Sequence, residues 1–296
     1  MELAGTNRTF SLSEETTANP QIVWLASYPK SGNTWFRSFI SVLQKNKEFN
    51  INKLETDGIF SGKTILEDTL DVDTDYLSLS EMEEFRKVAF SYISENGKKI
   101  YYYKIHDAFT FSEKDGLPLV PIKPSKLAIY IIRNPLDVAL SLANHINSTV
   151  DKAIEGYLTS EAGSFGKKSN AGGAQLFQPL LSWSTHVESW LKYPTFPVHF
   201  IRYEDMKNLS FETFKGAVNA IGLDVTDQQI QEAIEATAFE KLKKQEDEGG
   251  FKEKMVQNTT FFFKGEAGRW KKELTEQQIK KIREANEPMM RHFGYW

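Results

Sequence analysis

Residues 22–44 read IVWLASYPKSGNTWFRSFISVLQ, an apolar run that passes through a polar turn into a second apolar pattern. Ile22, Val23, Trp24 and Leu25 are consecutive, β-branched or aromatic, and so predict a strand buried on both faces. Pro29 and Gly32 break that run. After Thr34 the apolar residues Trp35, Phe36, Phe39, Ile40 and Leu43 recur at helical spacing, so the turn delivers its backbone N–H groups to a helix start. The first-turn N–H groups of a helix lack intrahelical partners and sit at the positive end of its dipole. With Lys30, Ser31, Gly32, Asn33 and Thr34 around them, they form a cradle for an anion such as phosphate.

Outward from this stretch, strands and helices alternate. Residues 99–106 (KIYYYKIH) and 127–132 (LAIYII) read as further buried strands, and 198–203 as a fourth. Asn134 is a favoured N-cap and Pro135 a favoured first helical residue, so a helix comes directly after the third strand. Ser80 with Glu83 predicts a capping box for a helix whose apolar face is Phe85, Val88, Ala89, Tyr92 and Ile93, closed at Asn96-Gly97. Ser210, Thr226 and Thr275 each precede a helical pattern, the last two with Gln three residues on. Residues 45–80 lack periodicity, and Gly62-Lys63-Thr64 among them reads as a surface loop bordering the ligand site. Residues 159–175 are rich in Gly, Ser and Ala and read as a mobile loop, a candidate lid. Residues 1–20 read as an N-terminal extension preceding a single domain over 21–296. The fold expected is α/β, a single-domain P-loop-like arrangement with a central parallel sheet flanked by helices on both faces and a ligand at the carboxyl ends of the strands. Lys30, His106, Arg133 and Tyr203 all fall at such ends.

Composition narrows the function. The 296 residues carry 36 Lys and Arg against 40 Asp and Glu, a net charge of −4, which argues against a general nucleic-acid surface. There is no cysteine, which excludes disulfides and thiolate metal sites. No His-x-x-x-His pair or carboxylate cluster suggests a metal site. No stretch approaches the roughly 20 apolar residues of a membrane span, and residues 1–20 lack the apolar core of a signal peptide, so the cytoplasm is the expected compartment. Nothing in the sequence sets the oligomeric state, and a homodimer stays open.

Three segments in order carry a resemblance. The nucleotide-triphosphatase pattern G-x-x-x-x-G-K-[ST] is absent from the turn. Instead Tyr28-Pro29-Lys30-Ser31-Gly32-Asn33-Thr34-Trp35 resembles the 5′-phosphosulfate loop of sulfotransferases that use 3′-phosphoadenosine 5′-phosphosulfate (PAPS). Arg133-Asn134-Pro135-Leu136-Asp137-Val138-Ala139-Leu140-Ser141 resembles that family's 3′-phosphate segment, in which Arg133 and Ser141 would bind the phosphate. Phe263 to Lys271 (FKGEAGRWK) resembles its R-K-G-x-x-G-x-W-K signature, with Lys264 and Gly265 in place but Phe263 where the cytosolic pattern has a phosphate-binding Arg.

The resemblance covers about residues 22–292 and implies a PAPS-dependent sulfotransferase of the soluble type, with adenosine 3′,5′-bisphosphate (PAP) as product and no metal. Trp35, Tyr203 and Phe239 would line the adenine slot, with Thr237 hydrogen-bonding nearby. Lys104 and His106 resemble the family's K-x-H site, and their alternation along one strand puts both on one face. His106 would take the acceptor's proton, Lys104 would stabilise the sulfuryl oxygens, and Lys30 the departing phosphate oxygen. His145, His186, His199 and His292 are left as structural or acceptor-site residues. Trp183, Trp190 and the phenylalanines suit a partly apolar small-molecule acceptor with a hydroxyl or amine. Two rivals remain: a P-loop nucleotide kinase, disfavoured by the missing Walker lysine, and a nucleotide-binding module without catalysis.

Overall fold

The computed structural model describes residues 21–45, 49–166, 175–254, 260–262 and 264–296. Strand β1 (Ile22–Ser27) runs into helix α1 (Asn33–Lys45), as the 22–44 stretch predicts. Next in the chain are a two-residue strand β2 (Gly58–Ile59), helix α2 (Lys63–Leu70) and helix α3 (Leu79–Asn96). Then come β3 (Tyr101–Ile105), β4 (Ser125–Ile132), α4 (Pro135–His145) and α5 (Val150–Ala153), which continues into a π turn at Ile154–Leu158. A short antiparallel pair, β5 (Ser164–Phe165) with β6 (Gln178–Pro179), precedes α6 (Trp183–Lys192). Strand β7 (Val198–Arg202) leads into the helices α7 (Tyr203–Asn208), α8 (Ser210–Ile221), α9 (Asp227–Ala236), α10 (Phe239–Gly249), α11 (Trp270–Glu273) and α12 (Glu276–His292).

Five parallel strands form the central sheet in the order β2-β3-β1-β4-β7. The pleat sends alternate residues of β1 to opposite faces. Ile22, Trp24 and Ala26 join a core with Phe90 of α3 and residues of α4, α6 and α12. Val23 and Leu25 join a second core with Phe36, Phe39 and Ile40 of α1, Phe214 of α8 and Ile230 of α9. Both faces of β1 are therefore covered, and the continuous apolar run in its sequence has that cause. The register sets Leu25 between Lys104 and Ile129, and Ser27 beside Ile131. Strands β1, β3 and β4 therefore end together, and the turns at their carboxyl ends converge on one region.

Several local expectations are corrected. The capping box of α3 is Ser78 with Glu81, not Ser80 with Glu83. The buried side of α3 is Met82, Ala89 and Phe90, while Val88 and Tyr92 face solvent. Periodicity alone could not choose between these two registers, because both place apolar residues three and four apart. Residues 45–80 are not one irregular stretch: Gly62 caps α2, and Lys63 is nearly buried and paired with Asp75 at 2.6 Å. Ser210 lies inside α8 and its hydroxyl donates to the Met206 carbonyl, whereas Thr226 and Thr275 do form capping boxes with Gln229 and Gln278. Tyr203 opens α7 instead of closing β7. Within 159–175, Ser164 and Phe165 pair with β6, and a bridge from Gly62 to Gln175 fastens the far end. Residues 167–174 of that stretch, the 1–20 extension and Phe263 lie outside the described residues.

Candidate active site

The turn after β1 is bent as few L-residues allow. Lys30 has φ 67° and Gly32 φ 104°, both in the left-handed region. A non-glycine residue held there is strained and persists only where its surroundings fix it. Arg133 does part of this by donating from Nη1 to the Lys30 carbonyl at 3.0 Å. A Cβ on Gly32 would lie 2.7 Å from the Tyr203 ring, so only glycine fits under that aromatic. Asn33 donates to the Leu25 carbonyl at 2.7 Å and to Ser27 Oγ at 3.2 Å, tying the helix start back to the strand.

Above this turn lies a cavity of about 390 Å³. Lys30, Gly32, Asn33, Thr34, Trp35, Lys104, His106, Arg133, Ser141, Tyr203, Phe239, Lys264 and Gly265 all line it, so most of the predicted site residues converge. Two stand apart. Ser31 is fully buried behind the wall, and Thr237 is fully buried with its hydroxyl donating to the Ala233 carbonyl at 2.7 Å. Trp35 meets Tyr203 edge-on with centroids 6.0 Å apart, and the Arg133 guanidinium lies 4.3 Å above the Tyr203 ring. Gly265, at φ 62°, passes so close to Phe239 that a Cβ would fall 2.4 Å from its ring. Tyr203 Oη and Lys207 Nζ both donate to the Gly265 carbonyl.

The protonation states are set by the geometry. His106 Nδ1 is 2.8 Å from the Ser27 carbonyl, which can only accept, so Nδ1 carries the hydrogen and Nε2 keeps its lone pair. Burial first, then the Lys104 charge, holds its pKa well below the usual imidazole value, so the ring is a neutral base at pH 7. Helix α6 fixes the backbone there: His186 Nε2 donates to the His106 carbonyl at 2.9 Å, and Trp190 Nε1 to the Asp107 carbonyl at 3.0 Å. Tyr130 Oη donates to His186 Nδ1 at 2.8 Å, completing that ring's pairing. Burial, with Lys104 and Arg133 nearby, lowers Lys30 to about 7, and its ammonium rests 3.6 Å from the Phe261 ring centre.

Three residues matter here that the sequence did not single out. Asp137, in the first turn of α4, accepts from the backbone N–H of Gly268 at 2.6 Å and of Trp270 at 3.1 Å. It clamps the 264–270 loop to α4, while Arg133 Nη2 donates to the Glu266 carbonyl of the same loop at 3.2 Å. Asp137 lies inside the Arg133 to Ser141 segment, and an acid in a first helical turn reads equally well as a dipole partner. Arg37 and Glu253 pair across the cavity wall at 2.7 Å. Glu253 sits in a charged run that gives no sequence signal. Among the described residues, no group of three or more His, Cys, Asp or Glu side chains is gathered as a metal ion would need.

The sulfotransferase domain pattern matches residues 20–294. The chain belongs to the sulfotransferase family. Among its relatives, flavonol 3-sulfotransferase of Flaveria bidentis is 27% identical over 283 residues, covering 92% of this chain and 82% of that one. Sulfotransferase 1E1 of Bos taurus is 28% identical over 283 residues, with 88% and 81% covered. The fold is that of mouse sulfotransferase SULT7A1 complexed with PAP (TM-score 0.60, 22% identity, 93% and 85% covered). It is also that of retinol dehydratase in complex with androsterone and PAP (TM-score 0.58, 19% identity, 92% and 81% covered). Family membership disfavours the kinase and non-catalytic readings. No helix among the described residues is long and apolar enough to cross a membrane.

Proposed function

We propose that this sulfotransferase uses PAPS and transfers its sulfuryl group in line to a hydroxyl or amine of a small molecule. The observation that carries the reading is the cavity in which His106, with Nδ1 committed to Ser27, stands with Lys104 and Lys30 beside the strand ends. The cavity suits a multiply anionic nucleotide. It collects Lys30, Arg133 and Lys264, and Arg133 Nε and Trp35 Nε1 are buried without a partner among the described residues. The co-substrate would supply a sulfuryl group already joined to a good leaving phosphate. Lys30 and the α1 N-terminus would meet the 5′ side, Arg133 and Ser141 the 3′-phosphate, and Trp35, Tyr203 and Phe239 the adenine. Ser31 and Thr237, which lie off the wall, would act from behind it. His106 Nε2 takes the acceptor's proton, Lys104 offsets charge on the sulfuryl oxygens, and Lys30 does so at the departing oxygen.

Phe165 and Phe261, with Gln175 and Gln178, line the same cavity and support a partly aromatic acceptor. One relative is a flavonol 3-sulfotransferase by name, which supports a hydroxyl on a flat, aromatic acceptor. Residues 21–296 act as one domain in this reading, Phe165 and Gln175 border the acceptor from the 159–175 stretch, and the protein works in the cytoplasm, with a homodimer compatible.

The test is calorimetry with PAP and with AMP. PAP should bind much more tightly, and Arg133→Ala should weaken PAP by about 1.5–3 kcal/mol, the worth of a charge-assisted hydrogen bond, while leaving AMP nearly unchanged. Equal affinities for the two nucleotides would remove the 3′-phosphate site. A panel of phenols, alcohols and amines incubated with PAPS, read by mass spectrometry for an added sulfuryl group, then names the acceptor.

A further inference from the structure

Glu253 is the only carboxylate among the described residues lining the cavity, set into a wall otherwise rich in cations. Its oxygens accept from Arg37 Nη1 at 2.7 and 3.0 Å, and Oε2 also accepts from Lys104 Nζ at 3.1 Å. Arg37 is itself fixed, since its Nε and Nη2 donate to Thr56 Oγ1 at 3.3 and 3.2 Å. Only 7% of the Arg37 side chain and 14% of the Lys104 side chain are exposed, against 30% of Glu253, so both cations meet the carboxylate on its buried side.

Resting on the assignment of Lys104 to the sulfuryl oxygens, we infer that Glu253 is a positioning residue for that lysine. Anchored by Arg37 and Thr56, it engages one N–H of the Lys104 ammonium and leaves two for the transferring group. A lysine is a compact charge on a flexible four-carbon stem with three rotatable donors. Fixing one donor removes rotational freedom before reaction, which is the entropic part of catalysis by orientation.

Charge favours the same arrangement. Burial works against a charged Lys104, and so does Arg37 on α1, whereas Glu253 supports it. Lys104 in turn lowers Lys30 in the turn and His106 at the end of its own strand. Of the described charged and titratable groups facing it, which include His145 on α4, Glu253 is the one that favours the ammonium. Lys104 and Arg37 hold the Glu253 carboxyl far below its ordinary range despite its burial, so it stays ionised wherever the enzyme is assayed.

The experiment tracks the Lys104 Cε resonance in protein labelled with 13C-lysine, assigned by its loss in Lys104→Arg. In Glu253→Gln, which keeps the shape and removes the charge, the Lys104 titration midpoint should fall by about one pH unit or more. Glu253→Asp should restore part of that shift. Turnover of PAPS with an acceptor from the panel should fall in kcat more than in KM for Glu253→Gln, and PAP affinity should not weaken. A Lys104 midpoint unchanged in both variants overturns the inference, whatever the chemistry. If the midpoint moves but Lys104→Ala keeps wild-type turnover, the hold on Lys104 stands and its role in transfer is what fails.

Discussion

His106 is where one side chain's environment decides the chemistry. Its Nδ1 bond to the Ser27 carbonyl leaves Nε2 as the base, and its depressed pKa keeps the ring neutral through pH 7. With a hydroxyl acceptor, His106→Ala should therefore lower turnover by about 10²-fold or more while changing PAP affinity only a few-fold. Only the neutral ring accepts a proton, so activity rises with pH through the folded pKa. That pKa lies well below the ordinary imidazole value of about 6.5, so the wild-type rate should show no rising limb between about pH 6.5 and 8, and any fall in that range reports Lys30, lowered to about 7, losing its charge. A rising wild-type limb centred above that range's lower end would contradict the burial argument, and full turnover in His106→Ala would mean another base, with His145 on the same wall the next to test.

Asp137 joins two elements that the sequence separates by more than 120 residues. Its carboxylate accepts two backbone N–H groups of the 264–270 loop, and Arg133, four residues earlier, reaches the Glu266 carbonyl. The helix start thus serves two purposes, presenting Arg133 and anchoring the opposite wall of the cavity. Asp137→Ala leaves two N–H donors unmet, which costs about 2–6 kcal/mol at about 1–3 each. Hydrogen exchange should show faster exchange at Gly268 and Trp270, and calorimetry should show PAP binding at least about tenfold weaker. Unchanged exchange at these two amides would show that the clamp contributes nothing. Cap signals at this scale were legible where one residue type dominates, as at Asn134, Thr226 and Thr275. They failed at α3, where Ser78 and Ser80 compete two residues apart and only packing of Phe90 against Trp24 selects the register.

Across the whole molecule, burial of imidazoles makes stability fall in acid. His186 titrates at about 4 when folded, chiefly because it is buried, against roughly 6.5 when unfolded. As pH drops below about 6.5 the unfolded chain takes the proton first, so stability present above that pH is lost progressively down to about pH 4, by about 3 kcal/mol for this residue. His145, lowered to about 3, and His106 act in the same direction. Asp107 opposes them: buried beside Arg86, its carboxyl is raised to about 6, so the folded state gains as pH falls from about 6 toward 4. Four lowered histidines, His199 included, outweigh the two raised carboxyls of Asp107 and Glu83, and the urea midpoint should be lower at pH 5 than at pH 7.5. A midpoint at pH 5 equal to or above that at pH 7.5 would refute this balance.

The sequence by itself determined the strand-turn-helix at 22–44, the parallel sheet and the residues at the carboxyl ends of its strands. Each of those rests on local spacing: an unbroken apolar run, a turn that needs glycine, and a helix start ready for an anion. Lys30, His106 and Arg133 were legible because strand ends in such a sheet converge wherever the strands begin, and Lys104 through the resemblance to the K-x-H site and its alternation with His106. Tertiary structure alone decided the rest. It put Glu253 against Arg37 and Lys104 from more than 140 residues away, set Asp137 on the 264–270 loop, and drew Thr237 off the cavity wall onto its own helix. The Glu253 and Asp137 contacts depend on where residues 251–254 and 264–270 lie against α1, β3 and α4, and a charged or polar residue in an irregular run carries no periodicity from which its partner could be read.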